Sequence, residues 1–210
     1  MADARPLHEP FREVERQEEA DRLGMLVFLA SELMLFGGVF AALLALRLTH
    51  PHEFLAASAH MKLWHGTANT AVLLTSSLFA ALAVEFARTG RPRATGAALW
   101  SAVSLGGVFL CVKAHEYWSE WRDGALPGFA NARFDGPVEQ LFANIYFAGT
   151  GLHAIHVTIG MTLLAIAALR RSAREDRAAI LVGNAALFWH LVDVIWVFLY
   201  PTLYLAGVGH

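Results

Sequence analysis

Charge is scarce in this sequence. Asp, Glu, Lys and Arg make up 16% of its 210 residues and apolar types 56%, whereas a soluble domain carries about 25% charged residues. With a mean hydropathy of +0.45, that deficit places the chain among membrane proteins before any motif is read. Cysteine is almost missing: Cys111 stands alone, which excludes an internal disulfide and any CxxC metal or redox motif. Set in an apolar run, Cys111 is expected to be a small packing residue. Basic residues do not exceed acidic ones. The formal net charge is −2, so no broad basic face is available to a nucleic acid. Lysine is confined to Lys62 and Lys113, and this arginine bias, with abundant Ala and Gly, points to a GC-rich bacterial source. The first 22 residues hold four arginines and seven acids. They have no apolar run of the kind a cleavable signal peptide needs, and are expected to form a polar, partly helical tail.

What is abundant is long apolar stretches. A transmembrane helix needs roughly 20 mostly apolar residues, and five stretches qualify, at about 23–48, 65–88, 94–118, 140–169 and 178–206. The expected architecture is an all-α integral membrane bundle, with a tail over 1–22 and a single five-helix domain over 23–206. Basic residues orient it. Arg5, Arg12, Arg16, Arg22, Arg88, Arg91, Arg93, Arg170, Arg171, Arg174 and Arg177 fall on one side, and Arg47, Lys62, Arg122 and Arg133 on the other. Eleven against four predicts a cytoplasmic N-terminus and an outer C-terminus. The outer loops differ in character. Loop one carries His50, His52, His60 and Trp64, without a regular ligand spacing, and loop three is long and rich in Gly and Pro.

Ionisable residues at bilayer depth are costly unless paired or hydrated, so each is a functional candidate. Glu32 lies near the centre of the first span, His153 and His156 at the centre of the fourth, and His190 and Asp193 at the centre of the fifth. At about 1.5 Å rise per residue, the five fall in one layer about 10 Å thick. His153 and His156 are three apart, as are His190 and Asp193, so each pair shares a helix face. Gly149, Gly151 and Gly160 are small enough to admit a neighbouring helix. A haem reading would pair His156 with His190, and a metal reading would join histidines to Glu32 or Asp193. A structural reading has each ring donating to a carboxylate or carbonyl across the bundle. Same-helix spacing without supporting ligands favours the structural reading. Glu32, a lone carboxyl in an apolar run, carries the most functional weight of the five: it reads either as a group for proton handling or polar contact to lipid or a neighbouring subunit, or, the favoured reading, as one end of an interhelical hydrogen bond. Lys113, His115, Glu116 and Glu120 read as a peripheral set, with Lys113 and Glu116 paired at i,i+3 and snorkelling to water. Trp100, Tyr117, Trp118, Trp121 and Tyr204 read as interfacial anchors.

These residues resemble subunit III of the haem–copper respiratory oxidases. The first span, Phe28-Leu29-Ala30-Ser31-Glu32-Leu33-Met34-Leu35-Phe36, is similar to the family helix with its intramembrane glutamate. Asn69-Thr70, Lys113-Ala114-His115-Glu116-Tyr117 and Gly151-Leu152-His153-Ala154-Ile155-His156-Val157 match family segments in order. Trp189-His190-Leu191-Val192-Asp193-Val194-Ile195-Trp196 is the most specific run. The resemblance covers about 23–205 and points to the five-helix bacterial form, which lacks the first two of seven helices. It implies a subunit without haem, copper or another metal of its own, those groups sitting in the partner catalytic subunit. It further implies direct contact with subunit I, assembly with subunit II and small subunits, and structural phospholipids. The lipids would lie in a cleft between the first helix and the rest, with Arg47, His65, Asn69, Glu116 and Trp196 as lipid-cleft or interface candidates. The implied role is support of proton uptake and of the catalytic subunit in the bacterial inner membrane, during aerobic respiration. An accessory subunit of a nitric-oxide reductase, and a small transporter using the midplane layer, are the competing readings.

Overall fold

The computed structural model describes residues 14–59, 63–122, 136–170 and 175–207, and all regular structure among them is helical. The elements are α1 (Val14–Thr49), α2 (Pro51–Ala59), α3 (Leu63–Arg88), α4 (Pro92–Arg122), α5 (Pro137–Leu169) and α6 (Glu175–Tyr200), the last running into a π-helical turn, Pro201–Leu205. Five of the helices are long and apolar enough to cross a bilayer. α2, α4 and α5 all open on proline, whose missing N–H costs nothing in a first turn. Proline acts differently at position 201. There it has no N–H to continue the ladder, and the helix widens into the π-helical turn. Between α3 and α4, Gly90 takes φ +64. The Gly90 N–H donates to the Ala87 carbonyl and the Arg91 N–H to that of Phe86, the paired bonds of a glycine C-cap.

Helices α3, α4, α5 and α6 form a ring in which each packs on the next and α6 closes back on α3. The short α3–α4 and α5–α6 connections make those neighbours antiparallel. The bonds Thr70–Trp196 and Ser77–His190 run in opposite chain order, as antiparallel α3 and α6 require. α1 lies outside the ring, against α5 and α6. It presents Met25, Leu29, Glu32, Phe36, Val39, Leu43 and Leu46, a three-and-four spacing that keeps one stripe inward. α2 caps the end of the bundle where α4 finishes: Phe54 packs edge-on against Phe142. Ser58 donates its hydroxyl to the Leu203 carbonyl at 2.8 Å and accepts the Gly207 N–H at 3.1 Å.

α1 begins at Val14, so the helix runs back from its apolar span, Leu23–Thr49, into the tail, in keeping with the partly helical tail expected there. Other expectations are revised. Loop one contains a helix, α2. Along its inward stripe α1 touches α5 and α6. Glu32 bonds to His156 there, and a Cβ on Gly149 would come within 3.0 Å of Val39. Apolar burial of Phe36 and Leu43 holds this contact together. Gly160 also admits a neighbour, since its Cβ would meet Trp189 at 2.8 Å, but Gly151 has only an ordinary contact with Tyr117. Cys111 is exposed rather than packed, because it lies on the outward side of α4. Most of loop three, His60, Lys62, Arg5 and Arg12 lie outside the described residues.

Candidate functional site

The five residues expected at mid-depth divide into three settings. In the first, His156 Nε2 lies 2.7 Å from Glu32 Oε2 and Nδ1 lies 2.8 Å from the Leu152 carbonyl oxygen. A carbonyl only accepts, so Nδ1 carries a hydrogen and donates. The Nε2–Oε2 bond therefore holds one further proton, on imidazolium beside carboxylate or on carboxylic acid beside imidazole. Phe36 packs edge-on against the His156 ring. The Glu32 side chain keeps 16% exposure, so the pair is not sealed within the bundle.

In the second setting, His153 is fully buried. Its ring stacks on Trp196 at 5.1 Å, with Phe109 and Phe36 edge-on. Trp196 donates its indole N–H to Thr70 Oγ1 at 3.1 Å. Neither His153 nitrogen, nor either polar atom of Asn69, has a hydrogen-bond partner among the described residues. In the third setting, His190 Nδ1 lies 2.7 Å from Ser77 Oγ. Asp193, one turn on, is 5% exposed with Oδ1 unpartnered. His156 and His190 are thus committed to different helices, Glu32 on α1 and Ser77 on α3, instead of facing one another as a haem pair. Among the described residues no three metal-binding side chains converge.

The set expected to snorkel is interior. Lys113 is 4% and Glu116 2% exposed. Lys113 Nζ donates to Glu116 Oε2 (2.9 Å), Tyr146 Oη (3.1 Å) and Tyr204 Oη (2.8 Å), and both tyrosines donate to Glu116 Oε1 at 2.7 Å. All three ammonium hydrogens and both phenolic hydrogens are then used. The 2.9 Å Tyr146–Tyr204 contact is packing within the cluster. The ring centroids of Tyr117 and Trp196 lie 5.4 and 5.5 Å from Nζ, close enough to favour the cation. α4 runs to Arg122, beyond its expected end near 118, so Lys113 lies too deep to reach water along its own helix. Glu120 is buried as well, and His115, which is exposed, stacks with His65 at 6.3 Å.

Among the lipid-cleft candidates, Asn69, Glu116 and Trp196 are interior, His65 is half-buried, and Arg47 is exposed in the last turn of α1. Trp100, Trp118 and Trp121 are exposed as anchors should be, but Tyr204 is buried at the Lys113 cluster. Sequence reasoning missed Tyr146 and Ser77. Tyr146 precedes His153 by two helical turns and so shares its stripe. Ser77 lies near the midpoint of its span.

Fold and site together define a multi-pass membrane protein, a helical bundle whose interior polar groups largely join one helix to another. The family model for cytochrome c oxidase subunit III matches residues 14–208. The chain is 33% identical over 187 residues to "Cytochrome c oxidase subunit 3" of Thermostichus vulcanus, spanning 87% of this chain and 86% of that protein. It is 30% identical over 194 residues to the protein of that name from Mus musculus, and 31% over 204 residues to that from Scyliorhinus canicula. Both matches span 89% of this chain and 69% of the relative. The chain belongs to the cytochrome c oxidase subunit III family.

Proposed function

We propose that the chain is a non-catalytic subunit of a proton-pumping haem–copper terminal oxidase, seated beside the catalytic subunit that holds haem and copper. It stabilises that subunit, carries phospholipid along the open flanks of α1 near Arg47, and supports proton uptake. The observation that carries the reading is Glu32–His156, a one-proton hydrogen bond at bilayer depth, in a chain matched to the family along residues 14–208. Such a pair exchanges a proton with its surroundings while costing little desolvation, because each group has a partner. The arginine asymmetry supports a bacterial inner-membrane location with a cytoplasmic N-terminus. The experiment is purification through a tag on this chain in mild detergent. A haem spectrum, copper and oxygen reduction should co-purify at one chain per complex. A chain that purifies alone, or itself binds haem stoichiometrically, defeats the proposal.

A further inference from the structure

The seam between α3 and α6 carries a polar group that neither helix satisfies. Ser77 and His190 meet at 2.7 Å, each within two residues of the midpoint of its own span, Leu63–Arg88 and Ala179–Leu205. At 1.5 Å per residue, that is within about 3 Å of the bilayer centre, reached independently from two helices. His190 is only partly buried, and Nδ1 has Ser77 while Nε2 has no partner among the described residues. Asp193, 5% exposed, lies behind it with Oδ1 unpartnered.

Other hydroxyls on outward faces are different. Thr67, Thr75, Ser101, Ser104, Thr158 and Thr162 each donate to a carbonyl four residues back, so acyl chains cover them without loss. An imidazole cannot fold back this way, and hydrocarbon offers its second nitrogen nothing. Helical spacing sets exposed Leu74 beside Ser77, and exposed Leu187, Val194 and Val197 beside His190. The seam is thus an apolar flank with one hydrogen-bonding point at mid-depth.

We infer that the α3–α6 flank is the docking surface for a transmembrane helix of another polypeptide, one that brings a neutral polar side chain to His190 Nε2. This rests on the oxidase-subunit reading above. Apolar side chains around the point supply close packing, and the single polar point sets the register of the incoming helix.

The test places a photo-crosslinking amino acid at Val194 or Leu74, with Ile159 and Val108, exposed on α5 and α4, as controls, in membranes holding the full complex. At Val194 and Leu74, adducts with a spanning segment of a different polypeptide should exceed those at the controls at least tenfold. Adducts with lipid alone, adducts with a second copy of this chain, or equal yields at all four positions would overturn the inference. In parallel, His190→Phe should lower co-purification of the partner several-fold and His190→Gln should retain it, each scaled to the amount of this chain in membranes. Equal recovery for both variants also overturns it. If the unsubstituted chain purifies alone, the oxidase-subunit reading has failed. If the complex assembles and Val194 meets only lipid, this inference alone has failed.

Discussion

At the residue scale, Lys113 shows how a charge survives in the interior of a membrane bundle. Its three hydrogens, the two Glu116 oxygens and the two phenols form a closed set with no donor left over. Removing one member of a buried ion pair costs about 3–5 kcal/mol, because the survivor is left uncompensated, whereas apolar replacement of both is often neutral. Lys113→Met and Glu116→Leu should therefore each lower the thermal midpoint of the complex, and the double variant should recover part of the loss. Additive losses in a thermal scan would contradict that account. Glu32 invites a different substitution. Glu32→Gln keeps a hydrogen bond to His156 but cannot exchange the proton. Assembly should stay at the wild-type level, while oxygen consumption decays over fewer turnovers. A trace on the oxygen electrode as long-lived as that of the wild type would leave Glu32 with a purely structural role.

Elements are joined by shape as much as by polarity. Trp189 of α6 fills the space left by Gly160 of α5 and Gly106 of α4, where an added Cβ would fall within 2.8 Å of the indole. Overpacking of such a site costs about 1–3 kcal/mol. Gly160→Ala should lower the thermal midpoint of the purified complex. Gly183→Ala, on α6 with open space around it, should raise it slightly, since alanine is favoured over glycine in a helix by up to about 1 kcal/mol. Equal effects of the two would show that backbone preference, and not the indole contact, decides. The glycines of α5 were visible as admitting close neighbours, yet which neighbour each admits depends on partner helices that a single span does not encode. Gly149 receives α1 and Gly160 receives α6, while Gly151 receives no close contact.

For the whole molecule, topology is the testable property. In a Cys111→Ser background, Glu53→Cys on α2 should react with a membrane-impermeant maleimide in intact cells, and Arg91→Cys in the α3–α4 turn only after lysis. The reverse pattern would invert the orientation. Five spans and their order were legible in the sequence by itself, as was the place of Glu32, His153, His156, His190 and Asp193 within those spans. Span length and the desolvation cost of charge are properties of one segment in a bilayer. Partnership was not legible. Nothing in the chain alone says that Glu32 meets His156, that Ser77 meets His190, or that Lys113 and Glu116 turn inward to Tyr146 and Tyr204. Each of those bonds joins residues from different elements or seats a side chain among several helices. The tertiary structure decided them, because in a medium without water a polar group must find its partner on a neighbouring helix, and only packing determines which neighbour that is.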